Sequence, residues 1–396
     1  KTYKLYALSL CASIALSASA TKAELESHKK IVGYFPEWGV YSAHNNYAPS
    51  DTPFDKLTHV NYAFARILNG EVAIFDNWAA TGITFNESWD SPYKGTLGQF
   101  KKLKSTYPDT SFLISVGGWT QSAGFHDVSA TEANRAKFAQ SCVAFVRRWH
   151  FDGIDIDWEF PTFAREPDTI DNANDTGTPK ADASEKETFT LLLKSLREAL
   201  DIAGSEDGRY YQLTAAVGAS KKMIEGTNPE KYSEYLDFIN VMTYDLHGAW
   251  ETKTNHQAPL VANNAFNDSK DQLSISDAVR MLQDKGVQSS KIVIGSPFYS
   301  RGWKGVENDG PIADLPGLGA TATGGAAGIW DGGRAAGVNP YYHIKERMET
   351  DKSFVKYRDP VSKMPYLYSE SKGEMYTYDD EVSVGQKSDY VNTNDL

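Results

Sequence analysis

Cysteine is nearly absent. The chain of 396 residues carries two, Cys11 and Cys142. Cys11 falls in a leader-like stretch, so loss of that stretch leaves Cys142 alone and no internal disulfide can form. Cys142 lies on the apolar face of an expected helix, where a buried and inert thiol is expected. Positive charge is short as well. Forty Lys and Arg stand against 52 Asp and Glu, a formal charge of −12. Such a surface argues against nucleic acid and anionic membrane as partners and is compatible with a neutral polymer. No apolar run is long enough to span a membrane. The run at 5–16 is too short for that. With Lys1 and Lys4 before it and Ala18-Ser19-Ala20 after it, residues 1–20 read as a secretory signal peptide, and the protein is expected outside the cell. The first residue is Lys, so the sequence is expected to begin just after the initiator Met. No Gly-rich phosphate loop follows the first expected strand, where Tyr34-Phe35-Pro36-Glu37-Trp38 stands instead, which speaks against a doubly wound sheet. His59 and His247 show no metal-ligand spacing, and structural roles are expected for both. No cofactor is implied, and the chain is expected to act as a monomer.

Apolar and aromatic residues are plentiful. Hydrophobic residues make up 41 %, ample for a core, and there are nine Trp and 22 Tyr. Most of these rings belong to core packing, but exposed ones suit sugar faces. The acidic stretch Phe151-Asp152-Gly153-Ile154-Asp155-Ile156-Asp157-Trp158-Glu159-Phe160-Pro161 organises the rest. On a strand, Asp155, Asp157 and Glu159 point one way and Ile154, Ile156 and Trp158 the other. Asp152 is out of phase and belongs at the start of the strand. Same-face neighbours lie about 6.6 Å apart. Three carboxylates in such a row repel one another and lose hydration when buried. Either they share a proton, which prepares a general acid, or they hold a cation such as Mg, Ca or Mn, or the row is a solvated sheet edge. The apolar opposite face and the helix-forming stretch 136–149 before it favour acid catalysis.

Strand-like and helix-like stretches alternate along the chain. Strands are expected at 30–35, 57–65, 111–116, at the acidic stretch, and at 212–217, 238–244 and 291–299. Helices are expected at 97–107, 132–150, 187–203 and 276–285. Long connections at 66–92 and 162–185 interrupt them, and the second should overhang the acidic strand. This rhythm predicts a parallel sheet closed as a (β/α)8 TIM barrel. From 301 to 373 the rhythm breaks into an α+β insertion after the seventh strand, with a helix at 342–349 and short strands at 364–368 and 374–378. A helix at 382–390 follows. The expected domains are therefore a catalytic barrel over 21–300 and 374–396 with the insertion at 301–373. An eighth strand is missing before Leu396.

Asp152-Gly153-Ile154-Asp155-Ile156-Asp157-Trp158-Glu159 resembles the D-G-x-D-x-D-x-E signature of family 18 glycoside hydrolases. Ser115-Val116-Gly117-Gly118 resembles the S-x-G-G motif, and Met242-Thr243-Tyr244-Asp245 a later strand motif, of the bacterial chitinases of the chitinase A type. The resemblance runs from about residue 30 to the end. It implies a secreted chitinase cutting β-1,4 bonds between N-acetylglucosamine units of chitin and chitooligosaccharides. It also implies retention through an oxazolinium ion formed by the substrate's own acetamido group. Glu159 would be the general acid, Asp157 would orient the acetamido group, Asp155 would hold the shared proton, and Tyr244 would donate to the acetamido oxygen. Trp38, Trp119 and Trp250 match sugar-stacking positions. Thr120, Met242, Asp245 and Arg301 complete the expected substrate contacts. The family's eighth strand carries a tryptophan, which would lie beyond Leu396. The competing readings are a catalytically weak chitin-binding lectin on the same fold and an endo-β-N-acetylglucosaminidase.

Overall fold

The computed structural model describes residues 29–266, 273–330 and 336–396, so the expected signal peptide at 1–20 lies outside the described residues. The chain divides into two compact units. The first holds the chain up to Ala216 and Gly226–Ile239, and the second holds Val217–Glu225 and Asn240–Leu396.

In chain order the first unit carries β1 (Val32–Pro36), β2 (His59–Leu68), β3 (Glu71–Ile74), α1 (Gly95–Lys104) and β4 (Ser111–Gly117). Then come α2 (Gly124–Ala130), α3 (Glu132–Trp149), β5 (Gly153–Asp157), α4 (Glu185–Asp207) and most of β6 (Gln212–Gly218). β1, β2, β4, β5 and β6 pair in that order, all parallel. Every residue of β5 and β6 is buried, as expected for a parallel sheet covered on both faces. The helices between them are local consequences of the sequence. In α3, Phe138, Cys142, Phe145 and Val146 recur at helical spacing and are buried. Thr131 caps that helix by accepting from the Asn134 N–H, and His150 closes it in the left-handed region. Cys142 is buried there, and burial pushes its thiol pKa up.

Several elements were not expected from the sequence, β3 among them. β3 pairs antiparallel with the end of β2. The turn between them is Asn69-Gly70, both at positive φ, the pattern of a two-residue hairpin. That dipeptide is a readable hairpin signal within the long connection at 66–92. The short helix α2 was also absent from the expected elements.

The second unit opens with α5 (Lys221–Glu225); the first resumes with α6 (Pro229–Tyr232) and the start of β7 (Phe238–Met242). The Asp237 N–H donates to Leu213 O, which places β7 beside β6. The second unit continues β7 and adds α7 (Ile275–Asp284) and β8 (Ile292–Ile294), next in the sheet order. The order β1-β2-β4-β5-β6-β7-β8 with intervening helices is that of a (β/α)8 barrel. The seventh strand is shorter than expected because it ends at Ile294, before Gly295 and Pro297.

The second unit also carries a separate antiparallel sheet. Its strands are β9 (Arg301–Lys304), β10 (Gly324–Gly325), β11 (Val355–Arg358), β12 (Pro365–Ser369) and β13 (Glu374–Thr377), in the order β10-β9-β13-β12-β11. α8 (Tyr341–Thr350) buries Ile344 against Leu367, Tyr376 and Tyr378. On the other side Trp303, Tyr366 and Met375 form a core with Phe266 and Leu318. α9 (Glu381–Thr393) is capped by Asp380, whose side chain accepts from the Ser383 N–H.

Candidate active site

Register assembles the acidic site. Across the sheet, Ser115 of β4 stands opposite Asp155 of β5, and Asp155 stands opposite Thr214 of β6. The carboxylate of Asp155 is fully buried and accepts three hydroxyl hydrogen bonds. They come from Tyr34 (2.9 Å), Ser115 (2.8 Å) and Thr214 (2.6 Å). Tyr34 and Thr214 were not singled out from the sequence. The period-two pattern of β6 could have found Thr214, since it is a polar residue inside an otherwise apolar run after Gln212.

Two residues further along, the neighbours change. Asp157 stands between Gly117 and Ala216. Neither offers a hydrogen bond, and a Cβ on Gly117 would come within 2.1 Å of the Asp157 carbonyl oxygen. The Asp157 carboxyl is 4 % exposed, and its Oδ1 has no hydrogen-bond partner. Burial pushes its pKa well above the ordinary carboxylate range, and the charges of Glu159 and Asp155 push it the same way. Burial and like charge therefore hold the Asp157 carboxyl toward its protonated form.

Glu159 lies just past the end of β5 rather than on it. Its N–H leaves the sheet ladder and donates to Ser122 Oγ (2.8 Å). Ser122 is buried and donates in turn to Gly118 O (2.9 Å). Trp158 points away from the acids and is buried, stacked on Phe125 at 5.3 Å with Phe189 edge-on at 5.9 Å. Asp152, at the start of the strand, is a clasp. It accepts from the Phe112 N–H (2.9 Å) and pairs with Lys104 and Arg209.

Three further candidates belong to this unit. Trp38 follows β1, is 41 % exposed and lies over Phe64 at 6.1 Å. Trp119 follows β4 and is 36 % exposed. Thr120 accepts from Asn172 at 3.5 Å. His59 is buried, with Thr58 and Gln212 on its two ring nitrogens, and burial lowers its pKa to about 4. It fills a structural role. Among the described residues no group of three or more His, Cys, Asp or Glu could hold a metal ion.

The second unit brings its own candidates together. Met242 ends β7, and Tyr244 follows it with its ring edge-on to Tyr299 at 6.5 Å. The Tyr244 ring fills the space where a side chain on Gly295 would stand. Asp245 sits at positive φ and accepts from Arg301 Nε (2.8 Å) and Tyr299 OH (2.6 Å). The guanidinium of Arg301 lies 5.5 Å from the Trp250 ring, and Trp250 is largely exposed. Burial and then the Asp245 charge push the Tyr299 phenol well up, so it stays a donor. Tyr299 was not singled out from the sequence. His247 pairs with Glu251 at 2.9 Å.

Comparison with known proteins agrees with the motif resemblance. The model of the glycosyl hydrolases family 18 matches residues 30–396. Chitinase A1 of Niallia circulans is 36 % identical over 437 residues, covering all of this chain and 60 % of the relative. Chitinase A of Pseudoalteromonas piscicida is 32 % identical over 418 residues, covering 92 % of this chain and 49 % of the relative. Among solved structures, chitinase ChiA74 from Bacillus thuringiensis superposes with a TM-score of 0.83 at 35 % identity, covering 93 % of this chain and 64 % of that one. The chain thus spans half to two thirds of the length of these relatives.

Proposed function

The chain belongs to family 18 of the glycosyl hydrolases, and from that premise we propose that it is a chitinase. In this reading it cuts β-1,4 bonds between N-acetylglucosamine units of chitin and chitooligosaccharides, with retention. The observation that carries the reading is the state of Asp157: a buried, proton-holding carboxyl between Asp155 and Glu159, flanked by Gly117 and Ala216, with an oxygen left unpaired. A carboxyl in that state suits an acetamido group, which can both donate and accept.

The proposed steps follow from the chemistry. Glu159 gives its proton to the glycosidic oxygen as the bond to the anomeric carbon breaks. The carbonyl oxygen of the substrate's acetamido group attacks that carbon from the opposite face and forms an oxazolinium ion. Asp157 takes a hydrogen bond from the acetamido N–H and balances the positive charge. Its proton passes toward Asp155, whose three hydroxyl donors hold it in place. Water, deprotonated by Glu159, then opens the ring and restores the starting configuration. This family departs from the general two-carboxylate scheme because the nucleophile is the substrate's own. The motif resemblance supports a phenol donor role for Tyr244 and sugar contacts for Trp38, Trp119, Thr120, Met242, Asp245, Trp250 and Arg301. The basic start, apolar run and small-residue site in residues 1–20 support secretion.

Release of a fluorogenic group from a chitobioside tests the reading. Glu159→Gln should lower kcat by about 10³-fold or more while chitooligosaccharide binding persists. Turnover near the wild-type rate in that variant would sink the assignment. Binding by the wild type without turnover would favour the lectin reading.

A further inference from the structure

The connection at 162–185, which follows the acidic strand, has few regular elements and yet is tightly built. Asp175 is its hub. Its side chain is buried and accepts from Arg165 Nη1 (2.5 Å) and Nη2 (3.2 Å), from the Asp168 N–H (2.7 Å) and from the Gly177 N–H (2.9 Å). The chain closes on itself again where the Thr178 N–H donates to Arg165 O (2.9 Å). Gly177 is at positive φ, and a Cβ there would lie 2.4 Å from Arg165 O, so a larger residue would break the closure.

Two of the residues this hub holds, Arg165 and Asp168, meet Trp119. Arg165 is buried, donates from Nη2 to Trp119 O (2.5 Å), and lies with its guanidinium 4.3 Å from the centre of the indole. The indole N–H donates to Asp168 Oδ2 (3.1 Å). A cation over one face and a carboxylate at the edge leave Trp119 with one free face and no free donor. A guanidinium on the covered face holds that face by charge and quadrupole. A lysine could not keep both the fork to Asp175 and the flat stack.

We propose that Arg165 and Asp168 are positioning residues that fix Trp119 as a one-faced stacking platform for a pyranose ring, with Asp175 holding both in place. This rests on the chitinase reading above. A free indole would rotate about two side-chain bonds and would lose that freedom on binding sugar; here the loss has already occurred on folding. The loop therefore sets affinity for the sugar chain rather than the rate of bond cleavage.

A double-mutant cycle separates this from a general weakening of the loop. Dissociation constants for chitopentaose are measured by tryptophan fluorescence in the Glu159→Gln background, so that the ligand is not consumed. Trp119→Ala should weaken binding about tenfold, Arg165→Lys about fivefold and Asp168→Ala about threefold. Combined with Trp119→Ala, neither loop change should weaken binding further. In the active enzyme the two loop changes should raise KM on chitopentaose and leave kcat within about twofold. Asp168 is half-buried, so its variant stands if Arg165→Lys fails to fold. Losses that add to that of Trp119→Ala, or loop variants that bind like the parent, overturn the proposal while leaving the chitinase reading intact. A Trp119→Ala variant that binds like the parent removes the platform itself. A parent that binds no chitopentaose overturns the chitinase reading instead.

Discussion

Asp155 and Asp157 are two residues apart on one strand, and their surroundings are opposite. Asp155 receives three hydroxyls because its cross-strand neighbours are Ser115 and Thr214 and because Tyr34 reaches it from β1. Asp157 receives none from Gly117 or Ala216, so burial and like charge decide its state. The contrast separates an anchored charge from a carboxyl free to change partner, which is how paired acids acquire different roles. Thr214→Val keeps the shape of the side chain and deletes one donor to a buried carboxylate. A hydrogen bond to a charged group is worth about 1.5–3 kcal/mol, so kcat should fall about tenfold or more with KM nearly unchanged. Steady-state kinetics on the fluorogenic chitobioside checks this. An unchanged kcat would mean that Asp155 needs only Tyr34 and Ser115.

At the scale of elements, β5 shows two ends with two jobs. Its far end carries the acids. Its start carries Asp152, which ties the end of α1 and the turn between α4 and β6 to the sheet through Lys104, Arg209 and the Phe112 N–H. Asp152→Asn keeps an acceptor for Phe112 and removes both ion pairs. The cluster is partly exposed, so the loss should be about 1 kcal/mol, a fall of about 1–2 °C in Tm for a chain of this length, with kcat unchanged. A large loss of activity with an unchanged Tm would place Asp152 among the catalytic groups instead. The strands and helices around β5 were legible in the sequence because each obeys a local rule. Alternating or continuous apolar runs mark the strands, and apolar residues at helical spacing mark the helices. The acids of the site were legible for the same reason, since three carboxylates on one face have no role in a core. The partners of those acids were not. Tyr34 and Ser122, like Arg165 at Trp119 and Tyr299 at Asp245, meet their targets only through tertiary register and loop closure, which no local rule encodes.

Across the whole molecule, acidic groups shift in both directions, and the signs combine into one expectation. In Asp175, burial alone would raise the carboxyl, but the hydrogen bonds from Arg165, Asp168 and Gly177 outweigh it and hold its pKa low. Asp359 is likewise held low against burial by His256, Ser362 and Asn263. Asp351 is lowered to about 2, chiefly by the Lys372 hydrogen bond. For such groups the folded value lies below the unfolded one, so their contribution is present at neutral pH and is lost as pH falls through the folded values. Glu37 is the opposite case. It is buried with Oε1 unpaired, burial raises its pKa from 4.5 to about 8, and the hydrogen bonds from the Tyr62 hydroxyl at 2.8 Å and the Asp76 backbone lower it too little to compensate. Its contribution is complete below 4.5 and is lost as pH rises toward 8. Asp157 acts in the same direction. Thermal stability should therefore peak near about pH 4–5 and decline on both sides. Glu37→Gln removes one charge that must be buried at alkaline pH and leaves the acid side untouched. Its Tm should exceed that of the wild type by a few degrees at pH 8 and nearly match it at pH 4.5. Calorimetric scans from pH 3 to 9 decide the matter: if the alkaline decline is as steep in Glu37→Gln as in the wild type, the cost of ionising Glu37 is not what limits the fold there.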